Sequence, residues 1–276
     1  MSIVQTDRGN FFYSEHGFLG PVVYLLHGLT ANHKAWDSVT DVLAKTGFHL
    51  FAFDMNGHGQ SVWAKEGFKP EDHAADIEAC AQALGHSRVH VVGHSTGGRN
   101  ALVFAAHFPG RACSLTIVDQ TLTADPQSYL KYQSRYREYP TPFPDEKMLE
   151  DFLKRKFGRD SERFVYYKGQ FRADEKGQWD WNYSTHAATE TQRLGREKEA
   201  YDYLKQVQCP MLFIKGADSA YVSPAEAEKI SELMPNGQLV VVPNAQHAVF
   251  RDNPEEFLRV LVPFLLQQSQ GKFFTP

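Results

Sequence analysis

The sequence has little cysteine and no long apolar run, and each deficit excludes a class of protein. The three cysteines, Cys80, Cys113 and Cys209, are odd in number and widely separated. We expect buried thiols in a reducing compartment rather than a disulfide framework. No apolar run is long enough to span a bilayer, and no amino-terminal segment resembles a signal peptide. The sequence therefore predicts a cytoplasmic protein that does not bind membranes.

The chain also lacks a strong charge of either sign and the glycine-rich loops that hold phosphates. Its net charge of −4 provides no overall positive field for nucleic acid. The segment Gly57-His58-Gly59 lacks the third glycine and the strand–helix context of a dinucleotide site. The cysteines do not have the spacing of metal ligands, and His86, His90 and His94, although spaced by four, run into a predicted strand rather than along a helix. We therefore expect no cofactor, no metal and no nucleic acid partner.

What the chain does contain is a regular alternation of apolar runs and helical patterns. The runs predicted as strands are 22–26, 48–53, 89–92, 115–118, 211–214 and 239–242, after an amino-terminal hairpin at 3–6 and 11–15. Helical patterns lie between them at 35–45, 71–84, 99–108, 224–233 and 254–266. This alternation predicts an α/β fold, a mostly parallel central sheet with helices on both faces.

The alternation is interrupted once, between the fourth and fifth of these strands. Residues 123–206 are rich in tyrosine, tryptophan and charge, and they contain helix-like stretches such as 146–157. We interpret this segment as a mostly helical insertion, a cap that lies over one edge of the sheet. Residues 1–122 and 207–276 then form the core.

A serine between glycines follows the strand at 89–92. The residues are Gly93-His94-Ser95-Thr96-Gly97, which match the G-x-S-x-G nucleophile elbow. A strand that turns directly into a helix strains the central residue and projects its side chain. The hydroxyl then lies above a helix N-terminus, where free N–H groups favour a developing negative charge. Ser95 is therefore the predicted nucleophile.

Three further features follow other predicted strands. They are His27-Gly28 early in the chain, the segment from Asp54 to Ser61, and His247 after the last strand. In this order, and together with the Ser95 turn, they resemble the α/β-hydrolases that carry a cap domain. The resemblance extends over nearly the whole chain outside residues 123–206.

That resemblance implies a set of catalytic roles. A serine hydroxyl is a weak nucleophile at neutral pH and needs an adjacent base. His247 lies where this fold places that base. The oxyanion hole is expected to use the main-chain N–H of Thr96, the residue after the nucleophile, and that of Leu29, just after His27-Gly28.

The acid that completes the triad has two candidates. The family most often places it three residues beyond a glycine after the strand that follows the cap, but Ser219 stands at that position here. Asp218 lies one residue earlier. Some family members instead carry the acid after the strand that follows the elbow, and Asp119 stands there. We favour Asp119 and keep Asp218 as the alternative.

The predicted cap combines many aromatic residues with basic ones. One interpretation is that its charges are solvated and its aromatics fill a small core. The sharper hypothesis is that cap arginines face Ser95 and bind a substrate carboxylate through paired hydrogen bonds. Arg135 and Arg155 are the nominees for this substrate-binding role.

The sequence predicts a serine hydrolase that acts on a small molecule, with no nucleic acid or membrane partner, as a monomer or homodimer. The bond is a carboxylic ester, lactone or thioester, and the family also cleaves amides and carbon–carbon bonds. Two alternatives use the same fold. One is a ligand-binding receptor or signalling protein with little turnover, and the other is a cofactor-free haloperoxidase.

Overall fold

The structure, a computed structural model, describes residues 2–159 and 161–269, without the side chain of Glu162. It contains ten strands in this part of the chain. They are β1 (Ser2–Thr6), β2 (Gly9–His16), β3 (Val22–Leu26), β4 (His49–Phe53), β5 (Val89–His94), β6 (Ala112–Val118), β7 (Phe171–Ala173), β8 (Trp179–Trp181), β9 (Met211–Gly216) and β10 (Gly237–Val242).

Eight of these strands form one central sheet in the order β1-β2-β4-β3-β5-β6-β9-β10. The strand β2 is antiparallel to both of its neighbours, and every pair from β4 to β10 is parallel. The predicted mostly parallel sheet is confirmed. Because parallel strands end at the same edge, the loops after β3, β5, β6, β9 and β10 meet there.

The described residues also form eleven α-helices and one 3₁₀ turn (His33–Trp36). The helices are α1 (Asp37–Lys45), α2 (Pro70–Ala83), α3 (Thr96–His107), α4 (Tyr129–Arg137), α5 (Glu146–Phe157), α6 (Glu162–Lys168), α7 (Thr185–Gly195), α8 (Tyr201–Gln206), α9 (Pro224–Leu233), α10 (Val249–Asp252) and α11 (Pro254–Ser269). Within the described residues, none of them combines the length and apolar character needed to cross a membrane.

The two faces of the sheet carry separate hydrophobic cores. Alternate residues of β3 point to opposite faces, as strand geometry requires. Tyr24 and Leu26 belong to the core that packs against α2, α3 and α9. Val23 and Leu25 belong to the core that packs against α1, α10 and α11. The helices therefore cover both faces, as the apolar runs predict.

Between β6 and β9 the chain leaves the sheet and forms α4 to α8 together with the antiparallel pair β7–β8. We call residues 123–206 the insert. It is mostly helical as expected, but the β7–β8 pair was not predicted. Aromatic side chains favour strands, and Phe171 of β7 stacks on Trp181 of β8 with ring centroids 4.2 Å apart.

The insert packs around an aromatic cluster of its own, and Leu29 from the core joins that cluster. The predicted boundaries of the insert and its role as a cap stay predictions. Met1 and residues 270–276 of the predicted core, and Asp160 of the insert, lie outside the described residues.

The cysteines are less buried than expected. Cys80 on α2 is buried in the core, whereas Cys113 and Cys209 are half-buried. Cys113 is the second residue of β6, and Cys209 lies in the loop before β9. The two lie near the strand starts, at the end of the sheet away from its carboxyl edge.

Candidate active site

Ser95 occupies the sharp turn between β5 and α3. Its backbone has φ 52° and ψ −125°, a conformation that residues with a side chain rarely adopt. Its N–H donates to the carbonyl of Val118 at 2.9 Å, which ties the turn to β6. A Cβ atom on Gly97 would lie 2.5 Å from the carbonyl oxygen of His27, and one on Gly93 would collide with Gly97. The glycines therefore permit the turn that the sequence predicts.

Asp119 follows β6 directly and is fully buried, with a positive φ of 47°. Its Oδ2 atom lies 2.7 Å from Nδ1 of His247. The same Oδ2 accepts a hydrogen bond of 2.5 Å from the Ser219 hydroxyl, and Oδ1 accepts one of 3.1 Å from the N–H of Gly216. Asp119 is thus held by neighbouring strands in contact with the imidazole.

Asp218, the alternative acid, is exposed. Its main-chain N–H donates to the carbonyl of Ala245 at 2.9 Å, and its side chain makes no hydrogen bond with His247 within the described residues. Ser219, at the position where the family most often carries the acid, donates to Asp119 instead. The structure therefore places Asp119, and not Asp218, beside the imidazole.

The backbone of His247 is fixed by the residue before the serine. Burial lowers the pKa of His94 well below its usual range, and the adjacent His247 lowers it further. His94 is therefore neutral, and its Nε2–H donates to the carbonyl oxygen of His247 at 2.9 Å. The side chain of His247 remains about a quarter exposed (26%) and lines the cavity beside Ser95.

Two main-chain N–H groups lie beside Ser95. Thr96 begins α3, and Leu29 lies in the loop after β3 and lines the same cavity as Ser95. Among the described residues, no protein acceptor contacts either N–H. A Cβ atom on Gly28 would lie 2.9 Å from Nδ1 of His94, so glycine lets this loop approach the turn.

Buried histidines hold that loop in place. Burial lowers the pKa of His27 to about 3, so the ring is neutral. His27 Nε2 accepts from the N–H of Met55 at 3.0 Å, and its Nδ1 donates to the carbonyl of Gly28 at 2.7 Å. The ring of His58 contacts the carbonyl of Leu29. His27 and His58 therefore shape the turns of the loops beside Ser95.

A cavity of about 760 Å³ opens over Ser95 and His247, between the carboxyl edge of the sheet and the insert. One acidic side chain, that of Asp125, belongs to its lining in the described structure. The basic side chains that line it are Lys34, Lys131, Arg135, Arg196 and Arg251. This excess of positive charge makes the cavity suited to an anionic ligand.

The two nominated arginines lie in different places. Arg135 on α4 lines the cavity, with its guanidinium 4.7 Å from the ring centroid of Tyr167. Its Nη2 donates to Gln170 at 3.4 Å, and within the described residues it forms no ion pair with an acid. Arg155 on α5 is exposed and does not line the cavity. The structure brings Arg135, but not Arg155, to the side of Ser95.

Sequence reasoning missed several groups at the site. Lys34, Lys131 and Arg251 line the cavity from α4 and from two core segments. Tyr221 lies against His247 with ring centroids 3.7 Å apart. The sequence feature that could have indicated Tyr221 is its position in the turn after β9, two residues beyond the family's usual acid position.

Comparisons with known proteins agree with the observed fold. A family model described as "alpha/beta hydrolase fold" matches residues 21–254. Over 249 residues the chain is 29% identical to 2-(acetamidomethylene)succinate hydrolase of Mesorhizobium japonicum, covering 89% of this chain and 88% of that protein. It is 26% identical over 285 residues to the bifunctional esterase/perhydrolase DCH of Acinetobacter calcoaceticus, covering 96% and 99%. The crystal structure of E-2-(acetamidomethylene)succinate hydrolase matches with a TM-score of 0.84 at 27% identity, covering 96% and 98%.

Proposed function

This chain belongs to the α/β-hydrolase fold family and is an enzyme of the hydrolase class, and from that premise we propose that Ser95 is its catalytic nucleophile. The substrate is a small molecule that carries a carboxylic ester, lactone or thioester. The observation that carries the proposal is the 2.7 Å contact between His247 Nδ1 and the buried Asp119, beside a cavity that Ser95 and His247 both line.

In the proposed reaction, Ser95 Oγ attacks the substrate carbonyl carbon while Nε2 of His247 takes the hydroxyl proton. Asp119 accepts from Nδ1–H and stabilises the imidazolium that forms. The oxyanion accepts hydrogen bonds from the N–H groups of Leu29 and Thr96. One such donor contributes roughly 3–4 kcal/mol to transition-state stabilisation.

The tetrahedral intermediate then collapses. The bond between the carbonyl carbon and the leaving group breaks, and the imidazolium of His247 gives its proton to the leaving group. This leaves an acyl ester on Ser95. A water molecule attacks that ester with His247 as base, which releases the carboxylic acid and restores the serine hydroxyl.

We further propose that the insert acts as a cap and that Arg135 binds a carboxylate of the substrate. The positive lining of the cavity and the lack of an acidic partner for Arg135 in the described residues support this assignment. An arginine fork matches the two oxygens of a carboxylate. The name of the Mesorhizobium relative also describes a substituted succinate, which carries two carboxylates.

The test combines turnover and labelling. Hydrolysis of a short-chain p-nitrophenyl ester is measured for the native chain and for Ser95→Ala, and a fluorophosphonate probe is located by mass spectrometry. We expect turnover, a mass shift on Ser95, and loss of both in the variant. Labelling without turnover on a broad ester, lactone and thioester panel would favour the receptor alternative, and the absence of labelling would exclude Ser95 as the nucleophile.

A further inference from the structure

Tyr221 covers one face of the His247 imidazole. It lies in the loop between β9 and α9, and its ring is nearly parallel to the imidazole, with centroids 3.7 Å apart and planes inclined by 14°. Tyr221 is half exposed (47%) and lines the cavity over Ser95. Because Tyr221 is this exposed, packing in a hydrophobic core does not account for the position of its ring on the imidazole.

The geometry differs from what two neutral rings prefer. Neutral aromatic pairs favour offset or edge-to-face arrangements over a close face-to-face one, because their electron-rich faces repel. A cation, by contrast, is attracted to the face of a tyrosine ring. The centroid distance of 3.7 Å is shorter than the roughly 4.5–7 Å of ordinary aromatic pairs, and such a close face-to-face contact suits a protonated imidazole better than a neutral one.

The loop that carries Tyr221 is tied to the same carboxylate as the imidazole. The N–H of Tyr221 donates to the Ser219 hydroxyl oxygen at 3.2 Å, and that hydroxyl donates to Asp119 at 2.5 Å. Asp119 therefore contacts the edge of the His247 ring directly. Through Ser219, it is also linked to Tyr221, which covers the face of that ring.

Tyr132 of the insert lines the same cavity as Tyr221. Burial raises the pKa of the Tyr132 hydroxyl, and the neighbouring Tyr221 raises it further. Tyr132 lies on α4, one turn before Arg135. Tyr221 therefore shares its cavity with the helix that carries the proposed anion-binding arginine.

We propose that Tyr221 is a positioning residue, whose ring holds the His247 imidazole in place and stabilises its protonated form during the reaction. The inference rests on the proposed function of Ser95 and His247. Other groups that face His247 are Asp119 at the end of β6, His94 at the end of β5, and Arg251 on α10, which acts on His94 electrostatically. The negative charge of Asp119 favours the imidazolium from the edge, and Tyr221 favours it from the face.

The test compares Tyr221→Leu, which keeps an apolar cover but removes the aromatic face, with Tyr221→Phe, which keeps the ring. Tyr129→Leu is the matched control, because Tyr129 begins α4 but does not line the cavity. Hydrolysis of a neutral p-nitrophenyl ester is measured from pH 5 to 9, so that Arg135 has no carboxylate to bind. Circular dichroism verifies folding, and Tyr221→Gln serves as a second ring-free variant.

For Tyr221→Leu we expect kcat to fall about fivefold with little change in KM, since the ring acts on the imidazole rather than on the substrate. The acidic limb of the kcat/KM profile should move to lower pH by about half a unit, because the protonated imidazole loses its aromatic partner. Tyr221→Phe should restore both values, and Tyr129→Leu should match the native chain.

A direct titration of the His247 ring by NMR separates this inference from the proposed function. The ring-free variants should titrate at lower pH than the native chain and Tyr221→Phe, whether or not any ester is hydrolysed. If all chains titrate together and the ester kinetics are unchanged, the inference is wrong while labelling of Ser95 still supports the hydrolase. If Ser95 is not labelled, the proposed function fails, and the titration still decides whether the ring stabilises the imidazolium.

Discussion

The core and the insert hold their functional groups in different ways. In the described residues, the non-glycine positions with positive φ are Ser95, Asp119 and Asn244, and all three lie just after core strands. The insert has no such position in its described part. There, Arg135 is held by the ring of Tyr167 and by Gln170. Strained turns thus fix the candidate chemistry, whereas aromatic packing positions the candidate recognition group.

This contrast has a physical basis. A residue in a sparsely populated backbone conformation costs of order 1–3 kcal/mol and persists only where the surrounding structure enforces it. Parallel strands with hydrogen bonds on both sides provide that enforcement at the sheet edge. Side chains on insert helices adjust more easily. Substitutions in the insert should therefore alter substrate preference more than the rate of the catalytic step.

The strongest test of the contrast compares the two acid candidates of the core. Asp119→Asn removes the carboxylate beside His247 and favours the wrong imidazole tautomer, so we expect kcat to fall about 10³–10⁴-fold on any ester. Asp218→Asn changes an exposed side chain in the same edge of the sheet and should leave kcat unchanged. Equal losses in the two variants, measured on a neutral p-nitrophenyl ester, would contradict the assignment of Asp119.

A smaller and more selective effect is expected in the insert. Arg135→Ala should lower kcat/KM for a carboxylate-bearing ester about 10–100-fold, because a hydrogen-bonded charge pair is lost. The value for the neutral analogue should hardly change. Arg137→Ala on the same helix is the control, since Arg137 is exposed and does not line the cavity. An unchanged ratio between the two esters in Arg135→Ala would refute the assignment.

The boundary between the two regions should be sensitive to acid. His73 on α2 is buried, and its Nε2 lies 3.1 Å from the hydroxyl of Thr191 on α7. Burial lowers the pKa of His73 from 6.5 to about 3, with smaller contributions from His58 and Arg8. The unfolded chain therefore binds a proton between pH 6.5 and 3 that the folded chain does not. The stability contributed by the neutral ring is complete above pH 6.5 and is lost as the pH falls.

Between pH 7 and pH 5, the free energy of unfolding should fall by about 2 kcal/mol less in His73→Gln than in the native chain. Urea unfolding at both pH values measures the difference. Asp76 near His73 contributes with the opposite sign, because burial raises its pKa to about 6, but its contribution is present in both chains. An identical pH dependence of the two chains would show that His73 does not titrate on unfolding.

The smallest expected effect concerns backbone strain. Ser95→Gly should be more stable than Ser95→Ala by about 1 kcal/mol, because glycine adopts positive φ without a steric penalty. Ser134 is exposed to solvent and lies in the middle of α4. There, Ser134→Ala should be more stable than Ser134→Gly by a similar amount, because glycine weakens a helix. Thermal unfolding of the four variants measures both differences. If the glycine variant were the more stable one at both sites, backbone strain would not distinguish the core from the insert.

Most of the fold was predictable because its signals are local. Apolar runs of four to six residues that alternate with helical patterns indicate buried parallel strands, and the turn around Ser95 carries its own steric signature in Gly93 and Gly97. The β7–β8 pair was missed because its strands have three residues each, too few for a period to show. Tyr221 was missed because its partner, His247, is distant in sequence.

The amino-acid sequence by itself determined the alternation of strands and helices, the projecting serine and the order in which the candidate catalytic groups occur, since each depends on residues close together in the chain. Only the tertiary structure decided between Asp119 and Asp218 and between Arg135 and Arg155. Both members of each pair follow equivalent local patterns, and what separates them is distance in space. Asp119 and His247 lie 128 residues apart in the chain, yet 2.7 Å separates their side chains because the parallel strands β6 and β10, with β9 between them, end at the same edge of the sheet.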